Sequence, residues 1–241
     1  MTYQAGGSVP NETSLLSDQY WLLSHHEHDG SARVDREVLE TGLAGAVIAE
    51  LLILGRLHMI EKKICVWNVT PTQNPLLDLV VSMIGSSPEL LGPMKCVQSV
   101  RDAPYSVGRQ RRSNPISLDD AVGLQLQAAG LVVEQETRGM FRSSTRLVPI
   151  NWRTAAAPGI RIGYYLGRLH EMDTRARVLA KLALIVGLEG QIGAGASLST
   201  REAIDTASQQ YHPDPLGHEI LTVLLDGVDR AVAAVALRIR R

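Results

Sequence analysis

The stretch that most constrains the fold is residues 36–58, Arg-Glu-Val-Leu-Glu-Thr-Gly-Leu-Ala-Gly-Ala-Val-Ile-Ala-Glu-Leu-Leu-Ile-Leu-Gly-Arg-Leu-His. From Leu39 to Leu54 apolar or small residues fall on every side instead of along one stripe, which is the pattern of a helix enclosed by other helices. Gly42, Gly45, Ala46 and Ala49 leave room for a neighbouring backbone, while Leu43, Ile48, Leu51, Leu52 and Leu54 supply apolar area. Gly55 offers the left-handed conformation that ends a helix. The apolar run is too short to span a bilayer, and Glu50 interrupts it. A buried carboxylate needs a partner, so Glu50 is read as paired with an Arg, the alternative being a reacting acid; one such acid alone makes no catalytic site. Glu50, Gly55 and Arg56 are therefore assigned structural roles.

Composition extends this reading. Hydrophobic residues make up 45% of the 241 and charged residues 20%, which describes a soluble, globular chain able to bury a large core. Aromatic residues are only 4%, with a single Phe, so Leu, Val, Ile and Ala must fill that core; this suits helix packing better than a β-sandwich. The expectation is a mainly α, single helical-bundle domain over residues 13–241, built around the buried central helix and carrying two short β-hairpins, after a loose tail at 1–12. Cys65 and Cys96 form neither a disulfide framework nor a metal-ligand spacing, which fits a reducing compartment. No basic segment followed by an apolar stretch opens the chain, so the expected location is cytoplasmic, or peripheral to the inner face of the cell membrane. No cofactor and no metal are expected.

The net charge of −1 conceals an uneven distribution. Lys plus Arg number 6 against 11 Asp plus Glu in residues 1–100, 13 against 7 in 101–181, and 5 against 7 in the remainder. The basic middle third would meet an anionic partner, or else pair with the acidic first third across the fold.

In chain order, a first helix is expected from Thr13 or Ser14 to Ser24, burying Leu15, Leu16, Trp21, Leu22 and Leu23. His25-His26-Glu27-His28-Asp29-Gly30 follows; its imidazoles and carboxylates suit zinc or nickel, but an exposed segment ending in Asp-Gly reads as a turn. After the central helix, 57–61 and 64–69 form a hairpin joined at Lys62-Lys63, and Pro75 opens a helix. A short helix lies between Pro88 and Val100, and 101–115 is a basic loop with Arg109, Arg111 and Arg112. Ser117 caps a helix with Asp119 and Asp120 in its first turn and Gly130 as its stop. Residues 131–134 and 146–150 form a second hairpin whose tip exposes Met140 and Phe141, which suits contact with a partner subunit or a membrane. Helices are expected at 158–171, 173–187, 200–211 and 216–241. The last would bury Leu221, Val223, Leu224, Val228, Val232, Ala233, Val235 and Ala236. Gly190 to Ser197 mimics a phosphate-binding loop but lacks its Lys-Ser or Lys-Thr, and is read as a connection.

The order of these parts resembles the Golgi phosphoprotein 3 family, in its bacterial branch. It rests on a first helix ending in Leu22-Leu23, the Asp29-Gly30 turn, and the helix with Gly42-Leu43, Gly45, Glu50-Leu51 and Gly55-Arg56-Leu57. Thr70-Pro71 before Leu76-Leu77-Asp78, Ala129-Gly130-Leu131 before the long hairpin, Met172-Asp173-Thr174-Arg175 and an Ala/Val-rich C-terminal helix continue it over nearly the whole chain. The resemblance implies a mainly helical domain whose hairpin mediates self-association. It also implies a peripheral membrane protein that binds phosphatidylinositol 4-phosphate through a Trp and three Arg, and that in eukaryotes sorts Golgi glycosyltransferases. Here those four positions fall on Asp35, Ala44, Ile116 and Asp119, so none of the headgroup ligands is matched, and two carboxylates would repel a phosphate. The first thirty-two residues hold no Lys or Arg, leaving the basic arm of eukaryotic relatives without a counterpart. Arg36, Arg109, Arg111 and Arg112 are the candidate headgroup contacts instead.

Three classes follow. The first is a non-enzymatic peripheral membrane or adaptor protein that meets an anionic membrane surface. The second is a soluble scaffold or regulator without a lipid ligand, a homo-oligomer joined through the 131–150 hairpin. The third is an enzyme or a nucleic-acid binder. No nucleophile–base pair, paired acids or cofactor loop supports an enzyme. Residues 117–150 resemble part of a winged helix, with Arg138, Arg142 and Arg146 on the wing, yet no recognition helix accompanies them.

Overall fold

The computed structural model describes residues 15–106, 115–138, 143–192, 198–209 and 215–239. The expected tail at 1–12, the loop arginines 109, 111 and 112, and the hairpin tip with Met140 and Phe141 lie outside the described residues.

The architecture is mainly helical. Helix α1 (Leu16–Ser24) leads to α2 (Arg36–Ile53), the hairpin β1 (Leu57–Ile60) and β2 (Lys63–Val66), then α3 (Pro75–Gly85), α4 (Pro93–Arg101) and α5 (Leu118–Ala128). A second hairpin, β3 (Val132–Arg138) and β4 (Ser143–Pro149), precedes α6 (Trp152–Leu166), α7 (Thr174–Val186), α8 (Leu198–Gln209) and α9 (Pro215–Ile239). Each hairpin is a separate antiparallel two-stranded sheet, with Leu57 opposite Val66 in the first and Val132 opposite Pro149 in the second.

As its all-round apolar pattern requires, α2 is the central element, packed against α9, α1, α7, α4 and α5. Residues Leu39, Leu43, Ala46, Val47, Ile48, Ala49 and Leu51 are fully enclosed, and one contiguous apolar cluster runs from Leu16 to Val235. Asp35 caps α2, accepting from the Glu37 amide at 2.8 Å, and Gly55 with φ +62° ends it. The small residues are contact points. A methyl on Gly45 would stand 2.7 Å from Val228 of α9, and one on Gly42 would overlap the Tyr20 ring of α1. Arg238 near the end of α9 reaches Glu37 at 3.1 Å, closing the last helix onto the first turn of α2.

Four sequence expectations are corrected. The β1–β2 turn is Glu61-Lys62, both with positive φ, so Lys63 begins β2 instead of sitting in the turn. Arg101 belongs to α4, where it pairs with Asp102 at 2.7 Å, instead of opening a loop. Helix α6 starts at Trp152, six residues before Pro158. Asn151 caps it by accepting from the Thr154 amide at 2.9 Å, and the chain continues helically through a buried Pro158, tolerating the lost backbone bond. Ala233 of α9 faces solvent.

Glu50, 1% exposed, is the structural acid that the sequence implies, and its partner is Arg175 of α7. Arg175 Nη2 donates to Oε1 at 2.7 Å, and Nε lies 3.2 Å from both carboxylate oxygens. The same carboxylate accepts the Leu16 amide at 3.1 Å, satisfying one of the open donors at the start of α1. One side chain of α2 thereby ties α1 and α7 together. Gly55 and Arg56 serve the helix end: the Arg56 carbonyl accepts the Trp67 amide at 2.9 Å and the Asn68 amide at 3.2 Å.

A second polar chain crosses the bundle. Gln125 of α5 donates to Asp18 of α1 at 2.7 Å, and Asn74, the cap of α3, donates to Gln125 at 2.7 Å. Burial, aided by the nearby Glu50 charge, raises the Asp18 carboxyl to about 6. The folded chain then holds this proton more tightly than the unfolded chain, so the contribution is favourable below about pH 4 and is lost as pH rises to about 6. Asp18→Asn keeps the acceptor for Gln125 and removes the charge. It is expected to stabilise the protein at pH 7 by about 1–2 kcal/mol and to flatten the fall between pH 4 and 6, measured by urea unfolding across that range.

Candidate functional site

A cavity of about 420 Å³ opens where five segments meet: the end of α1, the turn that follows it, the first turns of α2 and α5, and β4. Trp21, His25, Arg36, Asp119, Asp120 and Arg146 supply its chemistry.

The turn is built by Asp29, whose Oδ1 accepts from the Ser31 amide at 2.8 Å and from the Ser31 hydroxyl at 2.6 Å, holding the Asp29 carboxyl below its usual value. Gly30 has φ +63°, and a methyl there would fall 2.0 Å from the Leu147 carbonyl oxygen, so only glycine lets the turn seat on β4. The Asp-Gly reading as a turn is correct for 26–31, but His25 is not exposed with it. Its ring is 3% exposed and stacks on Trp21 with centroids 3.8 Å apart and planes 15° from parallel.

His25 Nδ1 lies 2.8 Å from the Trp21 carbonyl oxygen, which can only accept, so this nitrogen carries the proton. Nε2 then faces Asp119 Oδ1 at 3.4 Å. Among the described residues that oxygen is buried without another hydrogen-bond partner, so a proton on Nε2 would give both groups a charged contact. Among the described residues no three His, Cys, Asp or Glu side chains converge as a metal site.

Asp119 and Asp120 occupy the first turn of α5, where Ser117 and Asp120 form a capping box. They are placed by the positive end of that helix. Arg36, in the first turn of α2, donates from Nε to Glu40 at 3.0 Å and stands 3.7 Å from Asp120, which keeps its guanidinium firmly charged. Arg146 approaches from β4 and has no carboxylate within ion-pair distance among the described residues. Among the described residues the cavity thus offers one cation beyond ion-pair distance of any carboxylate, Arg146, whose charge is nonetheless felt by Asp29, one shared cation, Arg36, and a histidine, set against Asp119 and Asp120. Such a set can hold a phosphate at its arginine side and accept from hydroxyls at its aspartate side.

The sequence-predicted residues divide. Arg36 lies in the cavity; Arg109, Arg111 and Arg112 fall outside the described residues. Of the four positions carried by the family resemblance, only Asp119 lines this cavity. Asp35 is consumed as a helix cap, Ala44 is enclosed in the core, and Ile116 pairs its backbone with Tyr105. Sequence reasoning misses His25 and Arg146 as members of this site. For His25 a signal exists: Trp21 and His25 stand four residues apart, the spacing that brings rings together at a helix end.

A sequence model of the family Golgi phosphoprotein 3 matches residues 16–235, the span from the first residue of α1 almost to the end of α9. No curated relative matches the chain. No helix among the described residues is long and apolar enough to cross a membrane. The chain belongs to the Golgi phosphoprotein 3 family.

Proposed function

We propose that this member of the Golgi phosphoprotein 3 family is a non-enzymatic peripheral membrane protein that meets anionic lipid at the Arg36–Arg146 cavity. The observation that carries the reading is Arg146, a cation at the cavity without a carboxylate in ion-pair distance among the described residues, beside a second cation only partly offset by Glu40 and Asp120. Each such residue near an anionic surface contributes about 1 kcal/mol, so attachment is weak and responds to charge density more than to one headgroup. A three-arginine grip on a phosphoinositide is not reproduced, because Asp119 and Asp120 occupy the wall facing these cations.

Sedimentation with vesicles of phosphatidylcholine and phosphatidylglycerol tests this. The protein is expected to pellet with them at low salt and to be released at high salt, since surface attraction is screened. Arg36→Glu combined with Arg146→Glu, both at exposed positions, should lower the partition about tenfold or more. Absence of binding at low salt would remove the membrane reading and leave a soluble scaffold in its place.

A further inference from the structure

We infer that the outer face of α6 is a second membrane-contact surface, one whose apolar side chains enter the headgroup layer of an anionic bilayer. The inference rests on the membrane association proposed above and concerns a different part of the molecule.

Helix α6 is buried through Ala155, Pro158, Gly159 and Ile162. The opposite side would ordinarily be polar. Instead it carries Trp152 at 59% exposure, Ile160 at 59% and Tyr164 at 54%, with Ala156 between the first two. These four positions recur every fourth residue and sweep about 120° of the helix surface, a continuous band. Gly163 and Ala156 keep that band low between the large side chains, so a planar surface can approach the backbone.

Charge says what covers the band. From Thr137 to His170 the chain contains no Asp or Glu and six Arg: 138, 142, 146, 153, 161 and 168. Arg161 is committed to Asp173, and Arg146 lies at the cavity. Arg153 and Arg168 stand at the two ends of the band, both exposed and neither within ion-pair distance of a carboxylate among the described residues. Their guanidinium carbons lie 5.6 Å from the Trp152 ring centre and 4.4 Å from that of Tyr164. An apolar band with aromatic ends and a cation at each end matches the layering of a bilayer interface: acyl chains below, anionic phosphates at the rim. A second copy using the same face would set Arg153 and Arg168 against their own like charges, which disfavours a symmetric dimer.

The test keeps every charge in place. Trp152→Ser, Ile160→Ser and Tyr164→Ser are combined, and the partition of the full chain to phosphatidylcholine–phosphatidylglycerol vesicles is compared with that of the parent protein. About a tenfold loss with an unchanged salt response is expected, because apolar entry is lost and cation number is not. In a Trp67→Phe background the emission should shift to the blue on these vesicles and be quenched by brominated acyl chains, and both changes should be lost when Trp152→Phe is added, which separates Trp152 from Trp21 at the cavity. Equal partition of parent and triple variant, with no Trp152 shift, overturns this inference while leaving the cavity reading intact. A lipid-free dimer that becomes monomeric in the triple variant also overturns it, by making the face a subunit interface. If the parent protein binds no acidic vesicle at low salt, the cavity reading fails first and this one with it.

Discussion

Replacing Arg175 by Ala is expected to lower stability by about 3–5 kcal/mol, because it leaves a carboxylate enclosed without its counter-charge. Glu50 is 1% exposed, whereas Arg175 is about a third exposed, so the two halves of the pair are not equivalent. Removing the acid leaves a guanidinium that water can reach; removing the base leaves an anion that water cannot. Glu50→Gln, which keeps an oxygen for the Leu16 amide at 3.1 Å, should therefore cost less than Arg175→Ala. Arg175→Lys should recover only part of the loss, since one ammonium cannot reproduce the contacts of Nε and Nη2 with both oxygens. Glu50→Leu with Arg175→Met, in turn, should be milder than Arg175→Ala alone, as the uncompensated charge is gone. Urea midpoints at pH 7, with the slope unchanged, measure all four. A cost for Arg175→Ala within about 1 kcal/mol of the parent would contradict the account.

That pair also shows what could be read from the chain and what could not. An acid inside an all-round apolar helix demands an arginine, and the demand was legible at Glu50. The partner's identity was not, because Arg175 is 125 residues away and only the packing of α7 on α2 brings it close. Helix ends were legible where the reading named them: Ser117 is a cap, and Gly55 and Gly130 have positive φ; the structure adds Asp35, Asn74 and Asp173 as caps and Gly187 as a left-handed stop. The start of helix α6 escaped because Pro158 has the form of a first-turn proline, although Asn151, seven residues earlier, offered a cap directly before Trp152. The cavity escaped because its parts are local features with local explanations. Asp119 and Asp120 are a favourable first turn, His25 sits at a helix end, and Arg146 is one of several strand arginines. Nothing in their spacing announces that α1, α2, α5 and β4 converge.

The close approach of α1 and α2 supplies the second large effect, and its sign is decided by one ring. At Gly42 an added methyl would stand 2.1 Å from the Tyr20 Oη and 2.6 Å from its Cζ, with Val186 at 2.9 Å. Alanine is ordinarily worth about 1 kcal/mol more than glycine inside a helix. Here that gain is outweighed, because Tyr20 is fully enclosed and its ring cannot swing away without displacing neighbours of similar density. Gly42→Ala is expected to cost about 3 kcal/mol net. Among the described residues the buried Tyr20 hydroxyl has no hydrogen-bond partner, so Tyr20→Phe alone should stabilise by about 1 kcal/mol. Removing that oxygen also deletes the shorter of the two overlaps, leaving the ring carbon to be relieved by a small shift. The two changes should therefore couple: in the Tyr20→Phe background the cost of Gly42→Ala should fall by about 1 kcal/mol or more, read from urea unfolding of the four proteins in a double-mutant cycle. Strict additivity would mean that α1 simply moves outward to admit the methyl, and that the spacing between these two helices is not set by the glycine.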